Sequence, residues 1–206
     1  PDGTGVVAIM QVNNEIGTIQ PMVEVARLAK QAGAFLVCDA VQAAGKMPVA
    51  MADAVAISAH KLHGPKGIGA LWLRQGVKLD PIITGGGQED GLRSGTLSPE
   101  LIAGFGAAAK LAAERMEADA AHVESLWDLA LELFDGWTLN GSAEARWHGN
   151  LNIRPRGPNG GGLDVNRLMS DVRDVMFSAG SACASGSGRT SHVLDAIGLA
   201  KKLAKA

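Results

Sequence analysis

Lys61 is the residue with most chemical potential in the sequence, and it sits in the stretch Ala-His-Lys-Leu-His-Gly-Pro-Lys-Gly, residues 59–67. The apolar run Ala54-Val55-Ala56-Ile57 before it reads as a short buried strand, and Gly64, Pro65 and Gly67 after it force a turn. A lysine there suits Schiff-base chemistry, because burial disfavours the ammonium and leaves more of the amine neutral and nucleophilic. A lone lysine in a turn is ordinarily a surface residue. Two further constellations argue against that here: Asp39 with Gln42 upstream, and Cys183 downstream. Cys183 lies in the loop Ser178-Ala179-Gly180-Ser181-Ala182-Cys183-Ala184-Ser185-Gly186-Ser187-Gly188-Arg189, which is small, polar and expected to be flexible. A thiol in such a loop is a candidate nucleophile, whereas Cys38, among apolar neighbours, reads as a packing residue.

These residues need elements to position them. Val6-Val7-Ala8-Ile9-Met10 is wholly apolar, as a central strand of a parallel sheet would be. Pro21 opens a helix with Val25, Leu28, Ala29 and Ala32 at helical spacing, and Gly33 stops it. Residues 34–38 form a second strand ending on Asp39, residues 54–58 a third ending before His60 and Lys61, and residues 69–73 a fourth. Strands alternating with helices predict an α/β architecture. Asn13, Asn14, Asp39, Gln42, Ser58, His60 and Lys61 all fall at strand carboxyl ends, where open α/β sheets hold ligands.

Residues 85–96 are glycine-rich and carry Arg93, Ser94 and Thr96, and either present N–H groups to an anion or form a flexible surface loop. Residues 99–135 are helical, as one long helix or two. Residues 136–206 read as a smaller α+β unit, with strands at 150–153 and 174–178 and helices at 163–169 and 192–197. The expected division is therefore residues 1–98, a linking helical region 99–135, and 136–206.

The 206 residues are 47% hydrophobic and carry a net charge of −2 with dispersed Lys and Arg, so no basic stripe suggests nucleic acid. The longest apolar runs are too short to span a bilayer. Two distant cysteines form neither a disulfide framework nor a metal spacing, and point to the reducing cytoplasm. The chain starts on a turn without an initiator methionine and stops just after a helical pattern, so both ends are expected to continue in a longer protein.

Taken together, Val12-Asn13-Asn14-Glu15-Ile16-Gly17, Cys38-Asp39-Ala40-Val41-Gln42 and Ser58-Ala59-His60-Lys61-Leu62-His63-Gly64-Pro65-Lys66-Gly67 resemble the pyridoxal-phosphate core of the class V aminotransferases. Gly85–Thr96 and Ser178–Ser185 narrow the resemblance to cysteine desulfurases of the NifS/IscS type. It implies a partial large domain of the aspartate aminotransferase-like fold (fold type I) plus a small C-terminal domain. It implies that Lys61 carries pyridoxal 5′-phosphate as an internal aldimine and shuttles protons, that Asp39 pairs with the pyridinium nitrogen, and that Gln42 and Asn14 bond the phenolic oxygen. Ser58 and His60 would bind the cofactor phosphate, and Thr96 the phosphate of a partner subunit in a homodimer. Cys183 would attack the sulfur of L-cysteine, giving alanine and an enzyme persulfide for an iron–sulfur scaffold protein, and is a possible ligand of a transient 2Fe–2S cluster.

The same resemblance implies a phosphate loop and a ring-stacking histidine before residue 1 and a carboxylate-gripping arginine after the last helix. None has a match here, Gln88 stands where many relatives have histidine, and residues 47–52 look short. Weak or absent turnover is expected of the 206 residues alone. The alternatives are a selenocysteine lyase or other class V enzyme, which would not need Cys183, and an inactive fragment that only binds a scaffold protein.

Overall fold

The structure is a computed structural model that describes residues 3–156, 163–178 and 191–199. The described chain divides into two compact units, the first formed by Pro1–Gln11 and Pro21–Ala120, the second by Val12–Gln20 and Ala121–Ala206.

The first unit is built on a four-stranded sheet in the order β1 (Val6–Met10), β2 (Phe35–Asp39), β3 (Ala54–Ser58), β4 (Gly69–Leu73). The first three strands are parallel; β4 runs antiparallel to β3, with Ser58 opposite Gly69. Only ten residues join β3 to β4, fewer than a parallel crossover requires. Helix α1 (Met22–Gln31) follows Pro21 and is stopped by Gly33 at φ +66°, a left-handed conformation that suits glycine. Strand β2 alternates as a half-buried strand should: Leu36 and Cys38 are buried, and Asp39 is exposed at its end.

The composition of β1 predicts a central strand, and among the described residues β1 has one strand neighbour, β2. In the described sheet Val6 is 61% exposed. Among the described residues no strand pairs with the outer edge of β1, so the apolar run has only one neighbour to bury it.

The long helix α2 spans Pro99–Leu133 as one element, and the division between the units falls within it, after Ala120. In the second unit, β5 (Trp137–Leu139) pairs antiparallel with β6 (Ile153–Pro155). The short helices α3 (Val165–Asp171) and α4 (His192–Ala196) are N-capped by Asp164 and Ser191. The strand predicted at 174–178 is absent: residues 172–178 are irregular, with Met176 fully on the surface, and no described strand offers them a ladder. Cys183 and the loop around it, residues 179–190, lie outside the described residues.

Candidate active site

The site residues of the first unit gather where β2 and β3 end. Strand β2 delivers Asp39, whose backbone is held on both sides: its carbonyl accepts from Gln11 N at 2.9 Å, and the next residue, Ala40, donates to Ala56 O at 2.9 Å. The Asp39 Oδ1 accepts from Val41 N at 2.9 Å, which fixes the carboxylate at the strand end. Buried Gln11 then bridges to the following segment, donating to Pro48 O and accepting from Ala50 N, both at 2.9 Å.

Strand β3 delivers Ser58 and passes directly into a single 3-10 turn, Ala59–Leu62, which ends on His63 at φ +62°. This turn explains the position of Lys61. Ala59 and Leu62 are buried together with Ala44 and Phe105, and Ala108 and Ala112 of α2 pack against them. His60 is exposed and Lys61 half-buried, so the apolar pair anchors the turn and the polar pair faces outward. The turn is tight enough that glycine is required around it. At Gly45, with φ +71°, a Cβ would come within 2.6 Å of Leu62 Cδ2 and 2.9 Å of Ala112 Cβ. The Ser58 hydroxyl and His60 Nδ1 share a hydrogen bond of 2.8 Å.

Gln42 is half-buried, and its Oε1 accepts from Lys46 Nζ at 3.1 Å. Burial first, and the charge of Lys61 second, push the Lys46 ammonium below the ordinary lysine range. Lys46, which the sequence did not single out, therefore belongs to the Lys61 neighbourhood.

The glycine-rich stretch is a closed loop rather than a row of free N–H groups. Gly87 N donates to the buried Ser94 Oγ at 3.2 Å, and Gly95 N donates to Gln88 Oε1 at 3.0 Å. Those two donors, which the sequence offered to an anion, are spent inside the loop. Thr96 follows it in an exposed position.

Asn14 belongs to the second unit, on the turn Val12–Gly17. The Asn13 Oδ1 accepts from Glu15 N and Ile16 N, at 2.9 and 3.0 Å, which closes the turn. Three side chains then grip its carbonyls: Asn150 Nδ2 donates to Asn14 O, Asn152 Nδ2 to Glu15 O, and Arg146 Nη2 to Ile16 O at 2.6 Å. Arg146 is 4% exposed, donates also to the carbonyls of Asn140, Ser142 and Asn150, and lies over the Trp127 ring at 5.1 Å. Trp127 stacks on His148 at 4.4 Å, and His148 pairs with Glu124. The exposed Asn14 side chain is thus carried on a rigid turn.

An amine, a carboxylate, a carboxamide and a hydroxyl–imidazole pair on one pair of strand ends match an aldehyde-bearing, nitrogen-containing, phosphorylated ring. Among the described residues, no group of three or more His, Cys, Asp or Glu side chains is placed to hold a metal.

The family model described as aminotransferase class-V matches residues 1–198. The chain belongs to the class V aminotransferase family. Pyridoxal phosphate is the cofactor of that family, and the donor set fits it. The chain is 44% identical over 204 residues to the mitochondrial cysteine desulfurase of Eremothecium gossypii, covering 95% of this chain and 41% of that protein. It is 41% identical over 213 residues to the cysteine desulfurase IscS of Rickettsia bellii, covering 98% of this chain and 51% of that one. The chain thus spans about half the length of the curated relatives it matches. Among solved structures, a NifS-like protein superimposes with a TM-score of 0.85 at 33% identity, over 100% of this chain and 55% of that one. DndA from Streptomyces lividans gives a TM-score of 0.78 at 34% identity, over 98% of this chain and 59% of that one. The class V fold expected from the three motifs is the fold observed.

Proposed function

We propose that this class V chain is the part of a pyridoxal-phosphate-dependent cysteine desulfurase that carries the cofactor lysine and the sulfur-accepting cysteine. The observation that carries this is the Lys61 turn, anchored by Ala59 and Leu62 at the end of β3, in a chain 41–44% identical to proteins named cysteine desulfurase. When bound, pyridoxal phosphate supplies an electron-withdrawing ring that labilises bonds next to the amino-acid α-carbon.

In this reading Lys61 Nζ would hold the cofactor and would carry protons to and from the substrate. The Asp39 carboxylate would hold a proton at the ring nitrogen, Gln42 and Asn14 would bind the ring oxygen, and Ser58, His60 and Thr96 would bind phosphate. The Cys183 thiolate attacks the sulfur of L-cysteine. The new S–S bond forms as the substrate C–S bond breaks, and the electron pair left on carbon takes a proton to give L-alanine. The enzyme persulfide would pass its outer sulfur to an iron–sulfur scaffold protein, and Cys183 would be the candidate ligand of a transient 2Fe–2S cluster. The 34% identity to SspA, whose solved structure is a complex with cysteine, supports L-cysteine as substrate. We read the protein as a homodimer on the Thr96 assignment, and as cytoplasmic on its sparse cysteines.

The test is alanine release from L-cysteine by the whole protein and by its Lys61→Ala and Cys183→Ala variants. The reading expects both variants to lose activity, and Cys183→Ala to keep the absorbance of bound cofactor. Undiminished alanine release by Cys183→Ala would show chemistry that needs no thiol.

A further inference from the structure

Lys46 lies half-buried between β2 and β3, four residues beyond Gln42, and donates from Nζ to Gln42 Oε1 at 3.1 Å. A carboxamide alone is ambiguous, since it can offer a ligand either its oxygen or its NH2 group. A lysine ammonium has three donors and no acceptor, so its partner on a carboxamide must be the oxygen. With Oε1 held on the Lys46 side, the carboxamide is fixed in one orientation and Nε2 lies on its other side. The placement is costly: burial and the Lys61 charge both disfavour a charged Lys46. A surface lysine serving only solubility would not meet either penalty.

We infer that Lys46 is a positioning residue that holds the Gln42 carboxamide with Nε2 outward, so that Gln42 acts only as a donor to an acceptor oxygen of the ligand held at Lys61. This rests on the cofactor reading given under Proposed function. It adds a role to a residue outside the motif and fixes the polarity of one contact.

Two readouts need no turnover: the cofactor dissociation constant, and the pH midpoint of the bound cofactor's absorbance band. In Lys46→Met, binding weakens about tenfold, the size of one ordinary hydrogen bond, and the midpoint shifts. Gln42→Ala does the same, and Lys46→Met then adds nothing in the Gln42→Ala background. Lys46→Arg retains both values near those of the parent. Gln42→Glu, which is isosteric and replaces the donor with an acceptor, weakens binding more than Gln42→Ala and covers the case in which Lys46→Met fails to fold. The inference is overturned if Lys46→Met leaves both readouts unchanged, if its effect is undiminished without Gln42, or if Gln42→Glu binds as tightly as the parent. Absence of any cofactor band or borohydride-fixed adduct on Lys61 in the parent protein defeats the functional reading itself. A normal band in the parent with indifferent variants defeats the Lys46 role alone.

Discussion

The Ser191 hydroxyl donates its proton to the buried carboxylate of Glu15, 176 residues earlier in the chain, while its oxygen accepts from Val193 N and Leu194 N as the cap of α4. One hydroxyl thus satisfies a helix start and a carboxylate that is 6% exposed. Ser191→Ala removes the cap, worth about 0.5–2 kcal/mol, and leaves a buried acceptor short of a donor, worth about 1–3 kcal/mol. The expected loss in urea unfolding is about 2–4 kcal/mol, with Ser191→Thr recovering most of it. A loss below about 0.5 kcal/mol would mean that neither the cap nor the Glu15 contact carries energy.

Arg146 should not tolerate lysine. Its two terminal nitrogens donate to four backbone carbonyls, and burial already pushes its guanidinium below the ordinary arginine range. Lysine has one nitrogen and a different reach, so several carbonyls lose their donor. Arg146→Lys is expected to destabilise by about 2–4 kcal/mol, from charge-assisted bonds of about 1.5–3 kcal/mol each with partial replacement. Equal stability of the two proteins would show that the turn at Val12–Gly17 closes without it.

The Lys61 turn should fail by crowding from behind. Gly45→Ala brings a Cβ to 2.6 Å from Leu62 and forces an unfavourable φ of +71°. The expected cost is about 2–4 kcal/mol, from overpacking of about 1–3 kcal/mol plus left-handed strain of about 1 kcal/mol. Because Leu62 is the anchor next to Lys61, cofactor affinity should fall with stability. Unchanged affinity in a destabilised Gly45→Ala protein would separate the turn from the site.

Cys38 should be silent. It is fully buried, and burial first, then the adjacent Asp39 charge, push its thiol above the ordinary cysteine range. The native state therefore keeps a proton that the unfolded chain releases at lower pH, and stability falls as pH rises above about 8.5, the unfolded thiol value. Thiol reagents should label Cys38 only after denaturation, as peptide mapping would show. Labelling of Cys38 in the folded protein would contradict this packing role.

What could be read from the sequence follows from how side chains signal their surroundings. Strands β2 and β3 were legible because each is an apolar run that ends on a polar residue, and the family because three motifs stand in order along the chain. The number of strand neighbours of β1 was not legible, since Val6–Met10 looks the same with one or two. The antiparallel β4 was accessible from its ten-residue connection but not from composition. Arg146, Asn150 and Asn152 left no signal, because their partners are backbone carbonyls, which every residue carries. Lys46 was hidden similarly: its spacing from Gln42 became meaningful only once the turns after β2 brought the two side chains together. In the glycine-rich loop, composition offered donors, but Gln88 and Ser94 had already taken two of them.

The central claim is that sulfur from L-cysteine moves to Cys183 through chemistry begun at Lys61. The most direct measurement is peptide mass mapping of the cofactor-loaded whole protein after brief exposure to L-cysteine. The account predicts a Cys183 peptide heavier by one sulfur atom, lost when the cofactor site is disabled by Lys61→Ala. A protein that releases alanine while its Cys183 peptide stays unmodified would contradict it.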